Sequence, residues 1–275
     1  MEAFLHVMVL PFLACLVLTG IHAYLGFHVI ERQVIFVDLA LAQMAALGAS
    51  VAIILGCNFE SPQSYWLSLG FTMIGALIFS LTRLRKERVP QEAVIGITYA
   101  VAAAALVLIL SRSGEGDEHI KQVFMGNILL VGQREVVKIA AIYAVVGFLH
   151  FLFRRQFFLI SRDPQQAFTQ KLNVRFWDFL FYVLFGFVVT SSVKIAGVLL
   201  VFAFLIVPPV CAMFLSTRIR TRLIVGWSVG ALASLAGILI SYYWDFPTAP
   251  SVVCVLGAFF FLLMLVQTFL PKTDR

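Results

Sequence analysis

The sequence predicts an all-α, polytopic transmembrane helical bundle of about eight or nine spans, and three observations carry that prediction. Hydrophobic residues make up 61% of the 275-residue chain and charged residues 12%, about half the charged share of a soluble domain. Several runs of about 18 to 22 residues lack charge almost entirely, the length that crosses roughly 30 Å of hydrocarbon as helix. The chain's 27 Phe residues suit surfaces that face lipid. No fixed-period repeat, linker or low-complexity segment marks a second unit, so residues 1–275 read as one transmembrane domain.

The runs fall in order at 5–27, 34–55, 64–82, 93–111, 136–153, 176–192, 195–215, 223–241 and 251–270. The first begins Met-Glu, without a basic leading region or a small-residue cleavage site, and is expected to be a retained span. The second carries a carboxylate (Asp38) and an amide (Gln43). Such groups are expensive in hydrocarbon and face a bundle interior or an aqueous cavity. The sixth and seventh runs are separated only by the polar Thr190-Ser-Ser-Val-Lys194, so a single broken helix is the alternative to two spans. Pro208 and Pro209 near the inner end of the seventh remove two backbone donors, giving a plain kink or a hinge beside a pathway.

The connecting segments sort by charge. The loops 28–33, 83–92, 154–175 and 216–222 and the tail 271–275 share one side if there are nine spans. They hold fifteen of the twenty Lys and Arg, among them Arg32, Arg83, Arg85, Lys86, Arg88, Arg162, Arg222, Lys272 and Arg275. Arg112, Lys121, Arg134, Lys138 and Lys194 remain for the other side. Cytoplasmic loops collect basic residues, so the N-terminus is expected outside and the C-terminus inside. The net charge of +6 is thus a topology signal, and nothing points to a nucleic-acid partner.

Three segments have their own character. The outer loop 112–135 opens with the polar SRSGEGDEHIKQ and continues as VFMGNILLVG (123–132), too short to cross and expected as a re-entrant or interfacial piece. In the inner loop, Asp163-Pro164 is a helix start signal, an N-cap followed by Pro at the first helical position. The short helix it opens is either a lipid-surface helix or a docking element for a soluble partner. SYYWDFPTAPS (241–251) reads as a tight outer turn, with Asp245–Pro250 ending one span and starting the next.

The sequence excludes several chemistries. It holds no GxxxxGK[ST] to cradle nucleotide phosphates, and no HExxH or GxSxG. Cys15, Cys57, Cys211 and Cys254 show no CxxC spacing and read as packing thiols. The five His residues (6, 22, 28, 119 and 150) do not cluster.

Six segments in order resemble one family: GFHVIERQVIFVDLALAQMAALG, QEAVIGITYAVAAAALVLILS, FMGNILLV, SRDPQQA, KIAGVLLVFAFLIVPP and SYYWDFPTAPSVV. The chain is similar over nearly its whole length to the membrane-spanning permease subunit of bacterial zinc, manganese and iron ABC importers. The resemblance implies a multi-pass protein of the bacterial cytoplasmic membrane that is a transporter subunit and not an enzyme. A homodimer would carry a separate ATP-binding ABC subunit, with ATP and Mg on that partner. An extracytoplasmic metal-binding protein would deliver the ion, which is substrate; no cofactor would be bound by this chain. Asp163, Pro164 and Ala167 would form the coupling element, with the Pro90–Ile95 segment near it. Pro208 and Pro209 would be hinge residues, and Asp245 and Thr248 would belong to the outer rim.

The second span departs from the family pattern. The family places Asp and His four residues apart there, on one helix face, a sensible start for a divalent ion. The equivalent positions are Leu39 and Gln43, and the carboxylate sits instead at Asp38. Asp38 and Gln43 are about 140° apart on an ideal helix and cannot share one such site. They are expected to line the transport pathway, with bonding to neighbouring helices as the alternative, and Asp38 is the possible metal ligand. His22 and His28 are possible sources of imidazole from the first span.

A metal-chelate permease is the neighbouring reading. A stand-alone secondary transporter would need several intramembrane acids, and Asp38 is the one that stands out. A membrane enzyme would need a clustered set of reactive groups.

Overall fold

The computed structural model describes residues 2–58, 61–83, 89–111, 121 and 123–269, with the backbone alone for residues 2–7. Arg85, Lys86, Arg88, Arg112, Lys272, Arg275, His119, the His6 side chain and most of the outer polar stretch lie outside the described residues.

Among the described residues eight helices are long and apolar enough to cross a membrane, one fewer than the nine runs. They are α1 (Glu2–Glu31), α2 (Val37–Ile54), α3 (Pro62–Thr82), α4 (Gln91–Leu110), α5 (Gln133–Leu152), α8 (Val174–Leu215), α9 (Ile219–Trp244) and α10 (Thr248–Phe269). Between α4 and α5 lies the 3-10 turn η1 (Ile128–Leu130), and between α5 and α8 the short helices α6 (Arg154–Arg162) and α7 (Pro164–Thr169).

Local chemistry sets the ends. Ser61 caps α3 by accepting from the Ser64 amide at 3.2 Å, with Pro62 at the first helical position. Asp163 does the same for α7, accepting from the Gln166 amide at 2.8 Å, as its Asp-Pro signal predicts. Asp245 closes α9 in the left-handed conformation (φ 54°). The outer turn is shorter than expected, because α10 already begins at Thr248 and takes Pro250 into its first turn. Pro90–Ile95 is likewise mostly the first turn of α4 rather than loop.

The missing span is accounted for inside α8. Its 42 residues amount to about 63 Å of helix, twice the hydrocarbon thickness. The torsions are helical except at Gly197 (φ 74°, ψ 162°). The neighbours on α1 show what this break does. Asp178 meets Arg32 and Ser192 reaches His22, so the first half climbs away from the inner end of α1. Leu205 and Pro209 then lie against Gly26, and the carbonyl of Phe214 accepts from Gln267 near the inner end of α10. The chain doubles back at Gly197, and α8 makes two passages, giving the odd total that the charge asymmetry requires.

A Cβ on Gly197 would lie 2.4 Å from the Gly126 nitrogen. The two glycines let the outer segment touch the turn, where the Asn127 amide donates to the Ile195 carbonyl at 2.9 Å. The apolar piece 123–132 therefore packs on the α8 reversal.

The helix continues through Pro208 and Pro209 with helical torsions, so the double proline does not break it. Pro209 has no N–H for the Leu205 carbonyl. That oxygen lies where a Cβ of Gly26 would be, 1.9 Å away, so the glycine Cα takes its place beside the freed acceptor.

The centre of the bundle is α2 and the first half of α8. The apolar window of α2 is 72% buried and that of α4 only 22%. Phe181, Tyr182, Phe185, Val188 and Val189 of α8 are fully enclosed. Ile97 and Leu108 of α4 and Phe261 and Leu262 of α10 are exposed, as lipid-facing residues should be.

Candidate transport pathway and coupling element

Asp38 lies in the first turn of α2 and is 0% exposed. Neither of its carboxylate oxygens has a hydrogen-bond partner among the described residues. Gln43, one and a half turns further, is buried as well, and both its amide atoms lack a partner. Buried polar groups are normally paired, because leaving one unmade costs about 1–3 kcal/mol, more for a charge. Asp38 and Gln43 thus stand out on α2 as two enclosed polar side chains without partners among the described residues. Among the described residues no group of three or more His, Cys, Asp or Glu is arranged to hold a metal ion.

Beside α2, the α8 sequence Thr190-Ser191-Ser192 presents three consecutive hydroxyls about 100° apart. Thr190 pairs with Thr72 at 3.1 Å and Ser191 with the Tyr65 hydroxyl at 3.1 Å, both on α3. Ser192 pairs with the Tyr143 hydroxyl of α5 at 2.6 Å and reaches Nε2 of His22 on α1 at 3.3 Å. His22 Nδ1 donates to the Leu18 carbonyl at 2.8 Å, which leaves Nε2 as the acceptor facing Ser192. A polar layer thus crosses the bundle. Next to it Ala45, Ala46, Ala49, Ser68, Val123, Thr190, Val193 and Lys194 enclose a cavity of only 20 Å³, room for roughly one water. The bundle is tightly packed at this level.

Sequence reading treated Thr190–Lys194 only as a possible break. The run of three hydroxylated residues within an apolar stretch was the available signal for the polar layer.

His28 does not join this layer. It lies toward the inner end, with Nδ1 2.9 Å from Ser161 and Nε2 3.1 Å from the Tyr24 hydroxyl.

At the cytoplasmic end the structure reveals a second buried acid, Asp178, which the sequence reading passed over. Arg32 donates from Nη1 to its Oδ1 at 2.7 Å. Nε of Arg83 stands 3.2 Å from Oδ2, an ion contact without hydrogen-bond alignment. Both guanidiniums had been assigned to a solvated inner loop, yet Arg32 is 7% and Arg83 6% exposed. Burial pushes the Arg32 guanidinium below its ordinary value, and Asp178 offsets part of that. The lone acid in the apolar FWDFLF was the sequence signal.

Of the coupling residues, Asp163 is exposed and Pro164 half-buried, while Ala167 is fully buried against Ile160 and Val174. Ala167 therefore seats α7 on its own small core. Gln165, Gln166 and Thr169 are the side chains turned outward. On the opposite face Asp245 and Thr248 line a cleft of 550 Å³ with Lys121 and the segment Met125–Leu129. Thr248 is pinned by the Ser241 hydroxyl at 2.8 Å.

A multi-pass helical bundle with a tightly packed polar layer at its centre and a capped amphipathic element on its inner face defines a membrane transport subunit. Residues 5–267 match the ABC 3 transport family, and the chain belongs to it. It is a permease subunit and not an enzyme; ATP hydrolysis belongs to a separate subunit.

The chain is 26% identical over 255 residues to the manganese transport system membrane protein MntC of Listeria monocytogenes, covering 90% of this chain and 85% of that one. It is 28% identical over 219 residues to the chelated iron transport system membrane protein YfeD of Yersinia pestis, covering 77% and 73%. Among solved structures the fold superposes on a chain of PsaBC from Streptococcus pneumoniae with a TM-score of 0.78 at 21% identity, covering 96% of this chain and 95% of that chain. An inward-facing ABC transporter of metal-chelate type gives 0.71 at 17% identity, covering 94% and 86%.

Proposed function

We propose that this permease carries a divalent transition-metal ion (manganese, iron or zinc) inward across the cytoplasmic membrane by alternating access. It works as one half of a homodimer. ATP and Mg sit on the partner ATPase, and an extracytoplasmic binding protein hands the ion to the outer face, near Asp245 and Thr248. α7 seats the ATPase through its outward face, and Pro208 and Pro209 lie on the passage that moves.

The observation that carries this reading is Asp38, a fully buried carboxylate without a partner among the described residues. An isolated charge in that position costs several kcal/mol, and an arriving cation removes the cost. The manganese and iron relatives support the cargo class. A second reading, uptake of a metal chelate, is favoured by Leu39 and Gln43 standing where the family pair would be. With no three-ligand group among the described residues, a bare ion would find few protein ligands.

The test is uptake of radioactive manganese, iron and zinc into proteoliposomes holding the permease, its ATPase and its binding protein. ATP-dependent uptake of a bare ion that Asp38→Ala abolishes, with the complex still assembled, supports the ion reading. Uptake of a chelate but of none of the three ions replaces it with the second.

A further inference from the structure

We propose that Ser161, Arg32 and Asp178 form the joint through which movement of the ATPase-facing helices reaches the membrane bundle, with Ser161 and Arg32 as its positioning residues. The inference rests on the permease reading only in that the chain works with an ATPase. It does not depend on the cargo.

Ser161 is the penultimate residue of α6, two positions before the Asp163 cap of α7. Its hydroxyl is buried and triply engaged. It accepts from Nε of Arg32 at 2.8 Å, contacts Nδ1 of His28 at 2.9 Å, and donates to the Phe157 carbonyl at 2.8 Å. From Arg32 the chain of contacts continues to Asp178 at 2.7 Å and from there to Arg83 at 3.2 Å. One helical turn beyond Asp178, the Tyr182 hydroxyl accepts from Gln91 Nε2 at 3.1 Å, and the same nitrogen donates to the Phe79 carbonyl at 2.9 Å. The inner ends of α1, α3, α4 and α8 are thus tied at one buried cluster, and Ser161 hangs α6 on it.

Three properties make this a joint rather than a rigid weld. Arg32 is planar and always charged, so it can hold Ser161 with one edge and Asp178 with the other only while the two keep their spacing. Among the described residues Arg32 and Arg83 share the one carboxylate of Asp178, and Nη2 of Arg32 has no hydrogen bond of good geometry. A desolvated group with an unmet donor has a better arrangement available once its neighbours shift. The second tie between α6 and the bundle is softer. Arg162 meets Glu31 at 3.2 Å with half of the Arg162 side chain exposed, a solvent-screened contact.

The experiment uses the full permease–ATPase complex in lipid nanodiscs. Spin labels go on cysteines replacing two exposed residues, Phe176 at the inner end of α8 and Ile224 on α9, in a background without native cysteines. ATP binding is expected to change the label distance in the parent complex. Ser161→Ala should abolish that change and lower metal uptake per ATP hydrolysed at least tenfold, and Ser161→Thr, which keeps the hydroxyl, should restore both. If Ser161→Ala fails to assemble, Arg32→Lys carries the test, since a single ammonium cannot bridge both neighbours. A distance change of parental size in Ser161→Ala, or in Arg32→Lys where that variant stands in, overturns the proposal. A parent complex that shows the distance change but transports no metal overturns the cargo reading and leaves the joint intact.

Discussion

Asp38 and Asp178 are both enclosed carboxylates on central helices, and the protein treats them in opposite ways. Asp178 is held between Arg32 and Arg83; Asp38 meets no donor among the described residues. An ion cluster that binds four helix ends and a surface helix is spending its charge on architecture. A bare carboxylate contributes no bond to architecture, and in the proposed function it waits for an arriving cation. Burial alone does not separate the two roles; partnership does.

The sharpest way to break that comparison is to remove each acid in turn. Asp178→Ala removes the carboxylate that Arg32 and Arg83 share and should cost about 3–5 kcal/mol, read as a large fall in apparent Tm in detergent. Asp38→Asn should cut ATP-dependent uptake at least tenfold while leaving Tm unchanged or raised, because no contact is lost. Equal destabilisation by the two substitutions would sink the distinction.

A smaller effect is expected at Ser192→Ala, which removes the partner of Tyr143 and of His22. It should cost about 1–2 kcal/mol in thermal unfolding and raise the metal concentration needed for half-maximal uptake. The smallest belongs to Arg162→Gln, whose half-exposed side chain meets Glu31 in a solvent-screened contact, and the loss should stay under about 1 kcal/mol. An Arg162→Gln variant as uncoupled as Ser161→Ala would move the joint from the buried cluster to the surface pair.

Much of the fold was legible in the sequence because the bilayer leaves so few solutions. The helix positions followed from apolar runs, and Asp163-Pro164 named its cap correctly. The reversal in α8 was harder to place. Double proline is the loudest breaker in the segment, yet Gly26 on a distant helix accommodates it, and the turn falls at Gly197 because Gly126 packs there. That information sits in tertiary contacts.

The candidate site was legible by half. Asp38 and Gln43 announced themselves as polar groups in an apolar run. Asp178 carried the same signal, but its pairing with Arg32 and Arg83 spans distances in sequence that no local pattern encodes. The basic residues of an inner loop served two purposes at once, and only the folded chain shows which were buried.

The turn at Gly197 also bears on how the chain enters the bilayer. A membrane helix is ordinarily threaded one pass at a time, with a polar loop left on the far side. The two halves of α8 share no such loop, since the break between them is the single residue Gly197. The 42-residue segment should therefore enter as a preformed hairpin, and a ribosome paused between its halves would expose a half-built core to lipid.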